Sequence, residues 1–186
     1  MRKSTLALTC IYISLFLTCV TTPASAGGSY AEDRALIEDL AARYLFALDF
    51  RDAKAYSETF TEDGILDYGR GEVKGRKAIF ELIDGMNQRA REAAAKDTSG
   101  LRPAKGRHNI SNMVIKVEGN EGNMAKMVAY WFHHGNDNPE RKAAATAYGH
   151  YEDELTKVNG RWLFSKRKIY NEQVAEWAAP PGNPSW

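Results

Sequence analysis

The sequence predicts a single α+β domain, and three observations carry that prediction. Apolar residues at helical spacing are confined to the first half of the chain. The second half turns into runs rich in Val, Ile, Tyr, Trp and Phe, the composition of strands. Asn159-Gly160, between the last two runs, is the dipeptide that closes a two-residue hairpin. Helices followed by an antiparallel meander argue for α+β rather than an alternating α/β order.

Ser29-Tyr30-Ala31-Glu32 has the form of a capping box, with serine at the N-cap and glutamate three residues on. Ile37, Leu40, Ala41, Tyr44, Leu45 and Leu48 then make one apolar stripe, so the spacing predicts a helix to about Asp49. Asp52 reads as the cap of a shorter helix from Ala53 to Phe60, and Thr61-Glu62-Asp63-Gly64 as a turn. Ile65 to Tyr68 is a short strand, and Gly69, Gly71 and Gly75 break the chain before a third helix carrying Ala78, Ile79, Leu82, Ile83 and Met86. Arg89 to Gly106, rich in Lys, Arg and Ala, reads as a frayed helix end and a loop, its charges forming a solvated face. Four strands are expected over residues 108–117, 124–134, 143–158 and 161–170, with turns at residues 118–123, 136–141 and 159–160. The last residues, 176–186, contain three of the six prolines and read as an extended tail after a domain spanning 27–175.

The N-terminus has the layout of a secretory signal peptide: Arg2 and Lys3, an apolar stretch from Thr5 to Val20, and the small residues Ala24-Ser25-Ala26. A membrane anchor is the alternative, although the run is short for a spanning helix and stops at Pro23. Cleavage after Ala26 would place the protein in the periplasm or outside the cell. It would remove Cys10 and Cys19, leaving no disulfide, thiolate ligand or cysteine nucleophile. Losing Arg2 and Lys3 reduces 25 basic residues to 23 against 24 acidic ones. That balance offers no electrostatic footprint for nucleic acid or an anionic membrane.

Several segments taken in order carry a resemblance. They are Phe46-Ala47-Leu48-Asp49-Phe50-Arg51-Asp52, Phe60-Thr61-Glu62-Asp63-Gly64, Asp67-Tyr68-Gly69, Gly75-Arg76-Lys77-Ala78-Ile79, Arg107-His108-Asn109-Ile110-Ser111-Asn112, Trp131, Gly149-His150-Tyr151-Glu152-Asp153-Glu154-Leu155 and Asn159-Gly160-Arg161-Trp162. Together, over about residues 30–172, they resemble the SnoaL-like branch of the nuclear-transport-factor-2-like superfamily. Within it the chain is most similar to the group holding scytalone dehydratase, hexachlorocyclohexane dehydrochlorinase and bile-acid dehydratase. The resemblance implies a cone: a curved mixed or antiparallel sheet wrapped around N-terminal helices, with an internal apolar pocket. That fold hosts both enzymes and binding modules, so the fold alone does not fix the activity.

The resemblance places Asp49 and His108 at the positions of a catalytic aspartate–histidine pair. A carboxylate that accepts the Nδ1 proton fixes the imidazole tautomer, leaves Nε2 as a proton acceptor and favours the imidazolium formed afterwards. The alternative is that Asp49 caps its helix and His108 is an ordinary wall residue. Tyr68 stands where scytalone dehydratase uses a tyrosine to hold a substrate oxygen, and is otherwise a packing residue. Tyr44, Trp131 and Tyr151 are expected to line the cavity. Asn112 shares strand parity with His108 provided no bulge intervenes.

The resulting expectation is a cofactor-independent lyase or isomerase of dehydratase type, acting on a small apolar ring. The alternative is a secreted, non-catalytic binding protein for such a molecule. Homo-oligomers are implied only by analogy. Two departures from the relatives separate this chain from their substrates: Leu48 stands where scytalone dehydratase has tyrosine, and Tyr44 where the dehydrochlorinase has lysine. Adjacent His133 and His134 point to opposite faces of a strand and cannot chelate one metal. His150 is isolated, Gly69 to Gly75 do not form a phosphate loop, and the sequon Asn109-Ile110-Ser111 falls in an expected strand.

Overall fold

The computed structural model describes residues 29–101, 103–119, 121–174, 182–184 and 186. The expected signal peptide, residues 1–26, and much of the expected tail lie outside the described residues. Helix α1 spans Tyr30–Asp49, and the Ser29 hydroxyl oxygen accepts from the Glu32 N–H at 3.2 Å. Its buried face is Asp33, Ile37, Leu40, Ala41, Tyr44 and Leu45, the three-and-four spacing of an amphipathic helix. The helix stops at Arg51, which adopts a left-handed conformation with φ 59°. The Arg51 N–H donates to the Leu48 carbonyl and the Asp52 N–H to the Ala47 carbonyl, the paired bonds of a Schellman ending.

Asp52 then caps α2, Ala53–Ser57, by accepting from the Ala55 N–H at 2.9 Å. This helix ends earlier than the sequence predicts, because Phe60 is taken into strand β1, Phe60–Asp67. Thr61 to Gly64, expected as a turn, therefore belongs to a strand. Phe60 pairs with Phe164 and is fully buried, and the register shifts between Phe60 and Ile65. Burial of Phe60 thus overrides the local turn propensity, and an irregularity absorbs the misfit. A three-residue strand not expected from sequence, β2 (Glu72–Lys74), pairs with β1. Helix α3, Arg76–Ala95, runs past the frayed end read at Arg89, since its Arg, Glu and Ala residues all favour helix. The side-chain amide of Asn87 in α3 donates to the Arg51 carbonyl at 2.9 Å and braces the end of α1.

The meander is β3 (Gly106–Glu118), β4 (Met124–Gly135), β5 (Ala144–Val158) and β6 (Arg161–Asn171). Asn159 and Gly160 have φ of 50° and 77°, as a two-residue hairpin turn requires. The six strands form one sheet in the order β2-β1-β6-β5-β4-β3. Strand β1 runs parallel to β6 and the other pairings are antiparallel, so the sheet is mixed. Helix α1 packs against β3 and β6. Its first turn is tied down by Asp33, which accepts from Lys157 Nζ at 2.5 Å and from Trp162 Nε1 at 2.9 Å. Among the described residues no helix is long and apolar enough to cross a membrane.

The core contains a charge. Arg167 of β6 and Asp153 of β5 both have fully buried side chains and share a two-point hydrogen bond of 2.8 and 2.7 Å. The guanidinium lies 4.0–4.1 Å from the ring centres of Tyr44, Tyr151 and Phe164. Burial pushes the Asp153 carboxyl pKa up, and Arg167 opposes that shift. Removing one partner of such a pair leaves the other charge desolvated, at a cost of about 3–5 kcal/mol. Asp153→Ala is therefore expected to lower the unfolding free energy by about that amount in denaturant titrations. A loss under about 1 kcal/mol would mean that the rings alone hold the guanidinium.

Candidate active site

Asp49 is the last residue of α1, and His108 is the third of β3. The Schellman ending halts the helix so that the Asp49 carboxylate meets the start of β3 side on. One carboxylate oxygen accepts from the His108 backbone N–H at 2.9 Å, and the other lies 2.7 Å from His108 Nδ1. Asp49 is thus not a helix cap: it fastens both the main chain and the ring of His108. The carboxylate is 8% exposed and the imidazole 23%, so the pair sits at the margin of the core with the ring partly reached by solvent. An ionised carboxylate only accepts, so in the neutral imidazole Nδ1 carries the proton and Nε2 the lone pair. Nε2 makes no hydrogen bond among the described residues.

A second imidazole stands beside the first. The register of β3 and β4 sets His133 directly opposite His108, with ring centres 4.5 Å apart. Sequence reasoning set His133 aside with His134 as a metal-site question. The available signal was cross-strand register, which a bulge between Ser111 and Val114 shifts by one residue. Thr146 lies between the paired residues Ala145 and Ala147 in an irregularity of β5, and its hydroxyl reaches His133 Nδ1 at 2.5 Å. The same hydroxyl lies 3.2 Å from the His133 carbonyl; when its one hydrogen is given there, it accepts the ring proton from Nδ1.

Trp131 supports the pair from behind, its ring centre 6.2 Å from that of His108. Its Nε1 donates to the Tyr170 carbonyl at 3.0 Å across Gly149, where a Cβ would come within 1.9 Å of that carbonyl oxygen. Tyr151 stacks on Trp131 at 6.1 Å, and Tyr44 follows at 6.3 Å with its hydroxyl 2.6 Å from that of Tyr56. Tyr44, Trp131 and Tyr151 were expected to line a cavity. They are instead 0–5% exposed and pack on one another as the wall beneath the imidazoles. Burial raises the pKa of Tyr44, Tyr56 and Tyr151, which keeps these phenols neutral. Two concavities of about 540 and 420 Å³ lie elsewhere, one outside α1 and α2 and one on the outer sheet face, and neither is lined by Asp49 or His108.

Two expected residues are not brought to the dyad. The condition attached to Asn112 fails: it sits in the β3 bulge with φ 52°, exposed, in a surface groove with Val114, Val128 and Tyr130. The inward positions of β3 become His108, Ile110, Met113 and Ile115. Tyr68 follows the end of β1, half-buried against the core, with β6, β5 and β4 between its strand and β3. No hydrogen bond links Tyr68 to the dyad among the described residues. Nor do three or more histidine or carboxylate side chains among them gather where a metal could be held.

Partial burial disfavours the His133 cation and neighbouring His108 repels it, so its pKa lies below that of a free imidazole. The unfolded chain then takes up this proton first, near pH 6.5, and folding stability falls as pH drops through that point toward the folded value. The unfolding midpoint is expected to decline between about pH 7.5 and pH 5.5, and to decline less in His133→Gln. Equal declines in the two proteins would remove His133 as the source.

Against known proteins, the profile of the SnoaL-like domain family matches residues 29–168. A search of curated sequences finds no match. Among solved structures, the chain is similar to a nuclear-transport-factor-2-like protein with a cystatin-like fold from Novosphingobium aromaticivorans: 27% identity, TM-score 0.61, covering 80% of this chain and 88% of that one. A protein of unknown function from Mycobacterium tuberculosis gives 22% identity and TM-score 0.62 over 81% and 83% of the two chains. A candidate scytalone dehydratase from Novosphingobium aromaticivorans gives 21% and 0.59 over 83% and 94%, a likeness of fold alone. With the expected helix-then-meander order in place and the family profile spanning most of its length, the chain belongs to the SnoaL-like family, within the nuclear-transport-factor-2-like fold.

Proposed function

We propose that the protein is a cofactor-independent lyase or isomerase of dehydratase type, exported by the N-terminal signal and acting on a small apolar ring compound. The observation that carries this reading is the double attachment of Asp49 to His108, which holds the ring in place and leaves Nε2 without a partner among the described residues. In the proposed elimination, Nε2 takes a proton from the carbon next to the one bearing the hydroxyl. The C–H electrons form the double bond, the C–O bond breaks, and the oxygen leaves as water with a proton returned by the imidazolium. Asp49 stabilises the imidazolium in between. His133, beside His108, is proposed to hold a substrate oxygen next to the one that leaves. The half-buried Ile110, Ala147 and Ile169 supply apolar surface on the same side of the sheet, suited to a terpenoid, steroid or polyketide-like ring.

The two acceptor oxygens of Asp49 make a specific prediction. An amide has one acceptor, and the backbone N–H of His108 cannot reverse its polarity, whereas the imidazole can. In Asp49→Asn the amide oxygen is expected to keep the backbone N–H and the NH₂ to face Nδ1, moving the ring proton to Nε2. Nitrogen-15 shifts of His108 read the tautomer directly. If Nδ1 stays protonated in that variant, the carboxylate does not set the tautomer and the reading loses its base. The activity is tested by offering the purified protein a panel of hydroxylated terpenoids and steroids and following loss of water by mass. His108→Gln and Asp49→Asn are expected to slow turnover by about 100-fold or more. Binding without turnover, at an affinity unchanged in His108→Gln, would identify a ligand-holding protein instead.

A further inference from the structure

The His133 ring does not stand straight up from the sheet but leans along it toward the first residue of β3. A Cβ placed on Gly106 would meet His133 Nε2 at 2.0 Å and Cε1 at 2.5 Å, far inside any real contact. Gly135, paired with Gly106 across the strands, would bring its own Cβ to 3.0 Å from the same Cε1. Neither glycine has a positive φ. The backbone at both positions is open to any L-residue, so conformation does not account for glycine here. What excludes a side chain at 106 is the imidazole itself.

We propose that Gly106 is a positioning residue of the site, its missing side chain forming the seat that holds the His133 imidazole against His108. The inference rests on the acid–base reading of the site for its purpose, but not for its test. In the seat the ring reaches both the Thr146 hydroxyl and the face of His108. A methyl group at 106 would turn the ring away, and both contacts would be lost together. At a position of ordinary φ, Gly→Ala normally stabilises a protein by restricting the unfolded chain. Here the sign is expected to be reversed, and only while His133 is present.

The experiment is a double-mutant cycle on the full mature protein, using Gly106→Ala in wild type and in His133→Ala. In wild type, Gly106→Ala is expected to reduce the folding equilibrium constant about tenfold or more. In His133→Ala, which vacates the volume, the same change is expected to be neutral or stabilising. Nitrogen-15 shifts supply the second readout: Gly106→Ala should abolish the Nδ1-protonated signature of His133 and leave that of His108 intact. Folding of the double variant where Gly106→Ala alone fails also supports the seat. An equal penalty in both backgrounds, failure of both proteins to fold, or an unchanged His133 signature overturns it. The His108 tautomer, read in the same spectra, fails or holds independently, so loss of the seat and loss of the dyad are told apart.

Discussion

A guanidinium with no exposure to water sits where α1 meets the sheet. Arg167 could not stay charged in a purely aliphatic core, because desolvating a cation costs several kcal/mol. Burial pulls its pKa down, but the Asp153 carboxylate and the neighbouring Tyr44 and Tyr151 more than offset that pull, so the net direction is up. The arrangement uses α1 for Tyr44, β5 for Asp153 and Tyr151, and β6 for Phe164, so one side chain ties three elements together. A buried ion pair adds little net stability over a well-packed apolar core, but it permits few alternative packings. We read Arg167 as fixing how the first helix lies across the sheet, and hence where that helix ends.

The reach of Asp49 to His108 follows from where the helix ends. The left-handed turn at Arg51, braced by Asn87, aims Asp49 at the first residues of β3. Two irregularities in the sheet do the rest. The bulge in β3 brings His133 rather than His134 opposite His108, and the one in β5 brings the Thr146 hydroxyl to His133. Bulges re-aim side chains at the expense of regular pairing; the one in β5 touches an imidazole directly, and the one in β3 acts on the pair through register. Two rings result, each with Nδ1 held by a partner from another element, Asp49 of α1 or Thr146 of β5.

The sequence disclosed what local chemistry determines. Ser29, Asp52 and the stripe from Ile37 to Leu45 mark the first helices because caps and periodicity are short-range signals. Asn159-Gly160 marks the last hairpin for the same reason. Asp49 and His108 were legible through the order of motifs around them, and the structure joins them. Thr61 to Gly64 was misread as a turn because its strand character comes from Phe164, about a hundred residues later in the chain. Asn112 falls away from the site, and the facing of His133 and His108 was not foreseen, for one shared reason: register is counted residue by residue, and a single inserted residue in β3 shifts everything beyond it. The aromatic wall was assigned to a cavity because burial of Tyr44, Trp131 and Tyr151 depends on Arg167 and Gly149, whose effect is purely tertiary.

The attachment of Asp33 to Lys157 and Trp162 spans 124 and 129 residues. Strand β1 pairs with β6 at a similar remove, Leu66 lying beside Arg167. A chain leaving the ribosome therefore exposes its first helix, with its apolar face and the Asp33 carboxylate, long before the partners in the last hairpin exist. The first helix and first strand cannot be locked until the final hairpin closes, and such distant pairings make folding slow. The topology that places the last hairpin against the first turn thus also sets the moment of folding, which waits until nearly the whole domain has been made.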